Sequence, residues 1–191
     1  MKTGGQHRGK NQLRIIGGKW RGRKLDFLDS TGLRPTGDRI RETLFNWLRP
    51  DLHDANVADL FAGSGALGIE AVSQGAARAV LIEKDRACVD KLRQHRETLN
   101  AREAIEICQA DALSWLATTH LPQFDIVFVD PPFADHLHDT VLSSLDASGC
   151  LNPGALVYVE SPRNHIINAP KGWQNLRNKQ SGDVRYALYQ T

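Results

Sequence analysis

Between residues 56 and 160, five apolar runs alternate with helical patterns, and this alternation restricts the fold more than any other feature. The runs are "NVADLF", "ARAVLIEKD", "AIEICQADA", "FDIVFVDPPF" and "GALVYVES". Between them lie "ALGIEAVSQG", "RACVDKLRQHRETLNA", a short helix to about His120 and a helix over roughly 135–148. Such alternation implies a mostly parallel sheet with helices on both faces. The strands are apolar almost throughout, as strands buried on both sides are. The tail "WQNLRNKQSGDVRYALYQ" breaks the pattern and reads as two strands joined by Ser181-Gly182-Asp183. The expected architecture is therefore α/β, a seven-stranded sheet that closes with an antiparallel hairpin at one end.

At 191 residues, 41% hydrophobic and 24% charged, the chain suits one globular domain with a sizeable core. No run approaches the roughly 18 apolar residues of a membrane span. The basic N-terminus lacks the apolar stretch of a secretory signal. Cys88, Cys108 and Cys150 are odd in number and far apart, so neither a zinc site nor a disulfide framework is expected. A cytoplasmic monomer is the simplest expectation.

Charge is unevenly spread. Residues 1–24 carry eight Lys and Arg and no acid, which leaves 16 basic against 22 acidic residues in the rest. A basic arm on an acidic body is a phosphate-binding footprint. "LRIIGGKWRGRKLDF" interleaves its bases with Leu13, Ile15, Ile16 and Trp20 and reads as strand, turn and strand. Residues 1–33 are thus expected to be a basic extension that binds nucleic acid, RNA or DNA, flexible to about residue 11, with residues 34–191 as the main domain. Arg14, Lys19, Trp20, Arg21 and Arg23 are its expected contacts, with Arg34 and Arg39 beyond. A helix follows, with Thr36 as N-cap, Ile40, Leu44, Trp47 and Leu48 on one face and Pro50 ending it.

The first of the five strands leads into Gly63-Ser64-Gly65-Ala66-Leu67-Gly68, a G-x-G-x-x-G between a strand and a helix. That context marks a nucleoside-binding turn, with free N–H groups at the helix start. Glu83 ends the next strand, twenty residues after Gly63, where an acid accepts from ribose hydroxyls. Asp111 ends the third, within reach of an adenine amine. Asp59, just before the loop, would repel a pyrophosphate but suits an ammonium or sulfonium. This favours S-adenosylmethionine over a nicotinamide or flavin dinucleotide.

Asp130-Pro131-Pro132-Phe133 closes the fourth run. Proline fixes φ and stops the ladder, so the Asp130 carboxylate and the Pro131 carbonyl become two acceptors on a stiff turn. They match the two N–H donors of an exocyclic aromatic amine. Phe133 offers a ring for base stacking.

These segments resemble class I S-adenosylmethionine-dependent methyltransferases. "DLFAGSGALG" is similar to that family's first cofactor motif, and "DPPF" to the motif of exocyclic-amine N-methyltransferases. "RIIGGKWRGRKL", "GLRPTGDRIRETLFNWL", "VDPPF" and "VYVES" resemble, in order, segments of the bacterial 16S rRNA guanine-N2 methyltransferases. The resemblance implies a Rossmann-like fold and methyl transfer to N2 of one guanine in 16S rRNA, on the assembled small subunit. It implies that Asp59, Ala62, Gly63, Ser64 and Gly65 face the methionine part of the cofactor, Glu83 and Lys84 the ribose side, and Asp111 and Ala112 the adenine. Asp130 and Pro131 would hold the amine and Phe133 would stack on the guanine. The segment 34–42 would close over the methyl end, with Arg39 or Arg41 available for phosphate. An adenine-N6 methyltransferase and a nicotinamide oxidoreductase are the alternatives. "ADHLHDT" brings two histidines together, but at i and i+2 of a helix they point apart, and no metal is expected.

Overall fold

A computed structural model describes residues 12–27, 37–132 and 137–191. The expectations for Arg34, Thr36, Phe133 and residues 1–11 lie outside these residues.

The chain begins with a small hairpin, β1 (Gln12–Arg14) and β2 (Lys24–Asp26), joined through a 3-10 turn at Gly18–Trp20. Helix α1 (Asp38–Leu48) follows. The alternating region then gives β3 (Asn56–Asp59), α2 (Gly68–Ser73), β4 (Arg78–Glu83), α3 (Arg86–Thr98), β5 (Ile105–Gln109), α4 (Ala112–Leu116), β6 (Phe124–Val129), α5 (His138–Ala147) and β7 (Leu151–Pro162). β8 (Gln174–Ser181) and β9 (Val184–Gln190) complete the sheet.

The seven strands are ordered β5-β4-β3-β6-β7-β9-β8. β3 pairs in parallel with both β4 and β6. From β3 the chain winds outward to β5, then returns across β3 to β6. The order reverses there, and a crevice opens at the carboxyl ends of β3 and β6, where open α/β sheets take ligands. The closing hairpin lies at one end of the sheet, as expected, and its strands are swapped relative to chain order. β9 is inserted between β7 and β8 and pairs antiparallel with both, so β8 at the edge again runs with the sheet. This is the class I methyltransferase architecture.

Two apolar layers sandwich the sheet. One contains Ile40, Leu44 and Leu48 of α1, Ile69 and Val72 of α2, and Leu92 of α3. The other contains Leu116 of α4 and Val141, Leu142 and Leu145 of α5. Leu13, Ile15, Trp20 and Leu25 of the N-terminal hairpin belong to the first layer. Residues 12–27 are thus welded to the main body. Trp20 is only 8% exposed, which removes it from the expected RNA contacts. An indole in a hairpin that packs on a helix gains more from burial than from water.

Arg41 departs furthest from its expected role. Its side chain is fully buried, so it serves no phosphate. Nη1 donates to Glu70 at 3.2 Å, and Nη2 donates to Asp38 at 2.6 Å and to the Arg14 carbonyl at 2.8 Å. Glu70, on α2, also accepts from the Ile16 and Gly17 backbone N–H groups at 2.9 and 2.7 Å. One buried acid thereby ties hairpin, α1 and α2 together. Ser73 adds a second tie, accepting from the Trp20 N–H and donating to the Gly17 carbonyl.

Candidate active site

The glycine loop is shaped by its neighbours. Gly63 and Gly65 take positive φ, 51° and 81°. A Cβ on Gly65 would stand 2.5 Å from Ile69 Cδ1, and one on Gly68 would stand 2.1 Å from Leu81 Cδ2. Gly65 therefore serves the turn, and Gly68 serves the close approach of α2 to β4. Ala62 and Gly63 are buried and Ser64 is half-buried.

Acids stand at the strand ends around this loop. Glu83, half-buried, accepts from the Gly63 N–H through Oε2 and from the Asp85 N–H through Oε1, both at 2.8 Å. It braces the loop, and each oxygen retains a second lone pair. Lys84 is exposed beside it. Asp111 is exposed and caps α4, accepting from the Ser114 N–H at 3.1 Å. Ala112 behind it is buried.

Asp59 is 2% exposed and accepts from the Gly68 N–H at 3.0 Å. Burial pushes its carboxyl up to about 7, against backbone hydrogen bonds from Gly68 and Phe61 that lower it; the nearby Glu83 and Glu160 raise it further. A buried acid with two acidic neighbours makes a cation-seeking pocket. An ammonium or sulfonium fits it, whereas a pyrophosphate would meet only repulsion. The residues present therefore fit S-adenosylmethionine.

Asp130 directly follows β6, whose Val129 is registered with Val159 of β7. The next residue of β7 is Glu160, which still lies within that strand, so the two acids stand in register on neighbouring segments. Asp130 is half-buried and Pro131 buried. Glu160, 3% exposed, accepts from the Tyr158 hydroxyl at 2.9 Å. Burial, then Glu160 and Asp130, holds that hydroxyl well above its ordinary pKa, so Tyr158 stays a donor. The His138 ring lies 2.9 Å from the Glu160 carbonyl. Glu160 was missed by the sequence reading, although an acid closing an apolar strand is the same signal that marked Glu83.

β3, β4 and β6 thus bring Asp59, the glycine loop, Glu83 and Asp130 to one end of the sheet, with Asp111 following β5. The basic residues Arg14, Lys19, Arg21, Arg23 and Arg39 are exposed. Arg23 also donates to the Thr98 carbonyl at 3.1 Å.

Known proteins share this chain over nearly its whole length. Ribosomal RNA small subunit methyltransferase D of Escherichia coli is 51% identical over 96% of this chain and 92% of its own. The protein of that name in Haemophilus influenzae is 44% identical over 95% of each. A solved Escherichia coli structure, of a chain described as a candidate methyltransferase, superposes with a TM-score of 0.86 at 48% identity, covering 94% of this chain and 98% of that one. Residues 13–190, from the hairpin to the last strand, match one family, and the chain belongs to it: the family described as "Conserved hypothetical protein 95".

Proposed function

We propose that this protein transfers a methyl group from S-adenosylmethionine to N2 of one guanine in 16S rRNA, on the assembled small subunit in the cytoplasm. The observation that carries the reading is the stiff Asp130-Pro131 turn beside an acid-lined nucleoside loop, in a chain half identical to a small-subunit rRNA methyltransferase. The exposed bases of residues 12–27 supply the RNA contact, so the hairpin is the RNA-binding part of the basic extension.

The cofactor supplies an electrophilic methyl on a sulfonium. Asp59 attracts the cationic end of the cofactor, and the glycine loop lets the backbone come close to the methionine carboxylate. Glu83 takes the ribose with its remaining lone pairs, and Asp111 with Ala112 borders the adenine. Asp130 and the Pro131 carbonyl accept the two N–H bonds of the guanine amine. They hold its lone pair toward the methyl while the nitrogen turns from planar to tetrahedral. Transfer would exchange one C–S bond of the bound cofactor for an N–C bond to the amine, and Asp130 or water would be placed to take the proton that the amine loses. Orientation of two bound reactants supplies much of the rate in such a displacement. The target base must leave its stack to reach the turn.

Calorimetric titration tests the cofactor. Micromolar binding of S-adenosylmethionine without NAD binding is expected, and the reverse would remove the reading. The same titration has a predicted pH profile. Unliganded Asp59 holds a proton below about 7, and binding a cation requires that proton to leave. Affinity is therefore expected to fall with decreasing pH below about 7, approaching tenfold per unit. It falls again above about 8, where an amino group loses its charge. Asp59→Asn should weaken binding and flatten the acid limb.

Binding to small subunits is expected to weaken steeply with salt. Replacing Lys19, Arg21 and Arg23 with Ala should lower the slope of log affinity against log salt by about 2 to 3. An unchanged slope would take the hairpin out of the RNA interface.

A further inference from the structure

We propose that the loop after β7 is a second RNA contact, with Ile166 as an apolar wedge beside the extruded guanine and Arg163 on a neighbouring phosphate. The proposal rests on the guanine-methylation reading and deepens it.

Ile166 is 75% exposed, the one exposed large hydrophobic residue among the described residues. Its neighbour Ile167 packs into the second apolar layer. The loop therefore had an inward place for one isoleucine and holds the other in water. It has no regular secondary structure, yet it is fastened on every side. The Arg163 N–H donates to the Asp183 carbonyl at 2.7 Å, and the His165 N–H donates to the Pro162 carbonyl at 2.9 Å. Asn168 donates to both oxygens of Asp139, from its backbone at 3.1 Å and its side chain at 2.6 Å. The His165 ring packs on the His138 ring, with centroids 4.6 Å apart. Ile166 is thus presented on a fixed support and loses little freedom on binding.

Its place gives the presentation a purpose. β7 neighbours β6, and the loop leaves β7 at the end where Asp130 leaves β6. His138, on which His165 packs, begins α5, the helix that follows the Asp130 turn. The loop is thus a rim of the same crevice. The basic hairpin lies on the sheet face that carries α1, α2 and α3, whereas α5, to which this loop is fastened, covers the other face. RNA reaching Asp130 would be held from both sides. An extruded base leaves a gap between its neighbours, and apolar side chains such as Ile fill such gaps or part base steps. Arg163 and Asn164, both exposed, supply a guanidinium for phosphate and an amide for a base edge or sugar.

The test uses the whole protein and small subunits from a strain lacking this methyltransferase. Ile166→Ala is expected to lower kcat/KM about ten- to a hundredfold, the range for losing one buried aliphatic contact. Cofactor affinity and Tm should be unchanged, and Ile166→Leu should restore most of the rate. In a second arm, a photoreactive amino acid at position 166 should crosslink to nuclease-sensitive rRNA. A wild-type rate for Ile166→Ala, no crosslink, or a crosslink to ribosomal protein alone would overturn the proposal. If the unaltered protein methylates no subunits, the functional reading fails, and the crosslink still decides the partner of the loop.

Discussion

Asp130→Ala is expected to reduce methylation by at least about a hundred- to a thousandfold, the usual cost of removing one oriented hydrogen-bonding group from a reacting centre. Cofactor affinity should stay within about twofold, because the glycine loop, Glu83 and Asp59 remain in place. Asp130 stands beside Glu160 in register and lies close enough to raise Tyr158. Asp130→Asn keeps one acceptor and should fall between the two. Single-turnover rates with saturating cofactor, beside calorimetric Kd values, separate these effects. Near-normal turnover of the alanine variant would end the amine-holding role.

Glu70→Ala is expected to have the largest effect on stability, about 3–5 kcal/mol, as when one partner of a buried ion pair is removed. It removes the buried acid facing the Arg41 guanidinium, which keeps only Asp38 and the Arg14 carbonyl, and it unpairs the Ile16 and Gly17 N–H groups of the hairpin. Arg41→Ala should cost a similar amount. The double variant should cost well below the sum, because each single change already breaks the shared pair. Urea unfolding of the three variants measures this, and simple additivity would contradict it. Subunit binding should also weaken in Glu70→Ala, since the basic hairpin loses its anchor on α2.

The strand ends were legible and the pairings between them were not. Apolar runs of four to six residues between turn signals marked every strand of the parallel region, because buried parallel strands have few other sequences open to them. The places of Glu83 and Asp130 at strand ends followed from the same runs, since each acid directly closes one. Glu160 followed the same rule and was passed over. The insertion of β9 between β7 and β8 was hidden, since pairing order among the last strands leaves no local trace. Arg41 sits beside Ile40 in sequence, and its partner Glu70 is 29 residues away. Helical periodicity reports which face a residue occupies, not what it meets there. Trp20 is a related case: an aromatic among bases reads as an RNA contact until the helix beneath it is known.

The central claim is that the amine held by Asp130 belongs to guanine in 16S rRNA. Mass spectrometry of nucleosides from 16S rRNA, in a strain deleted for this protein, tests it most directly. The account predicts the loss of one N2-methylguanine per 16S rRNA, restored by the wild-type chain and not by Asp130→Ala. An unchanged N2-methylguanine content, or the loss of an N6-methyladenine instead, would contradict it.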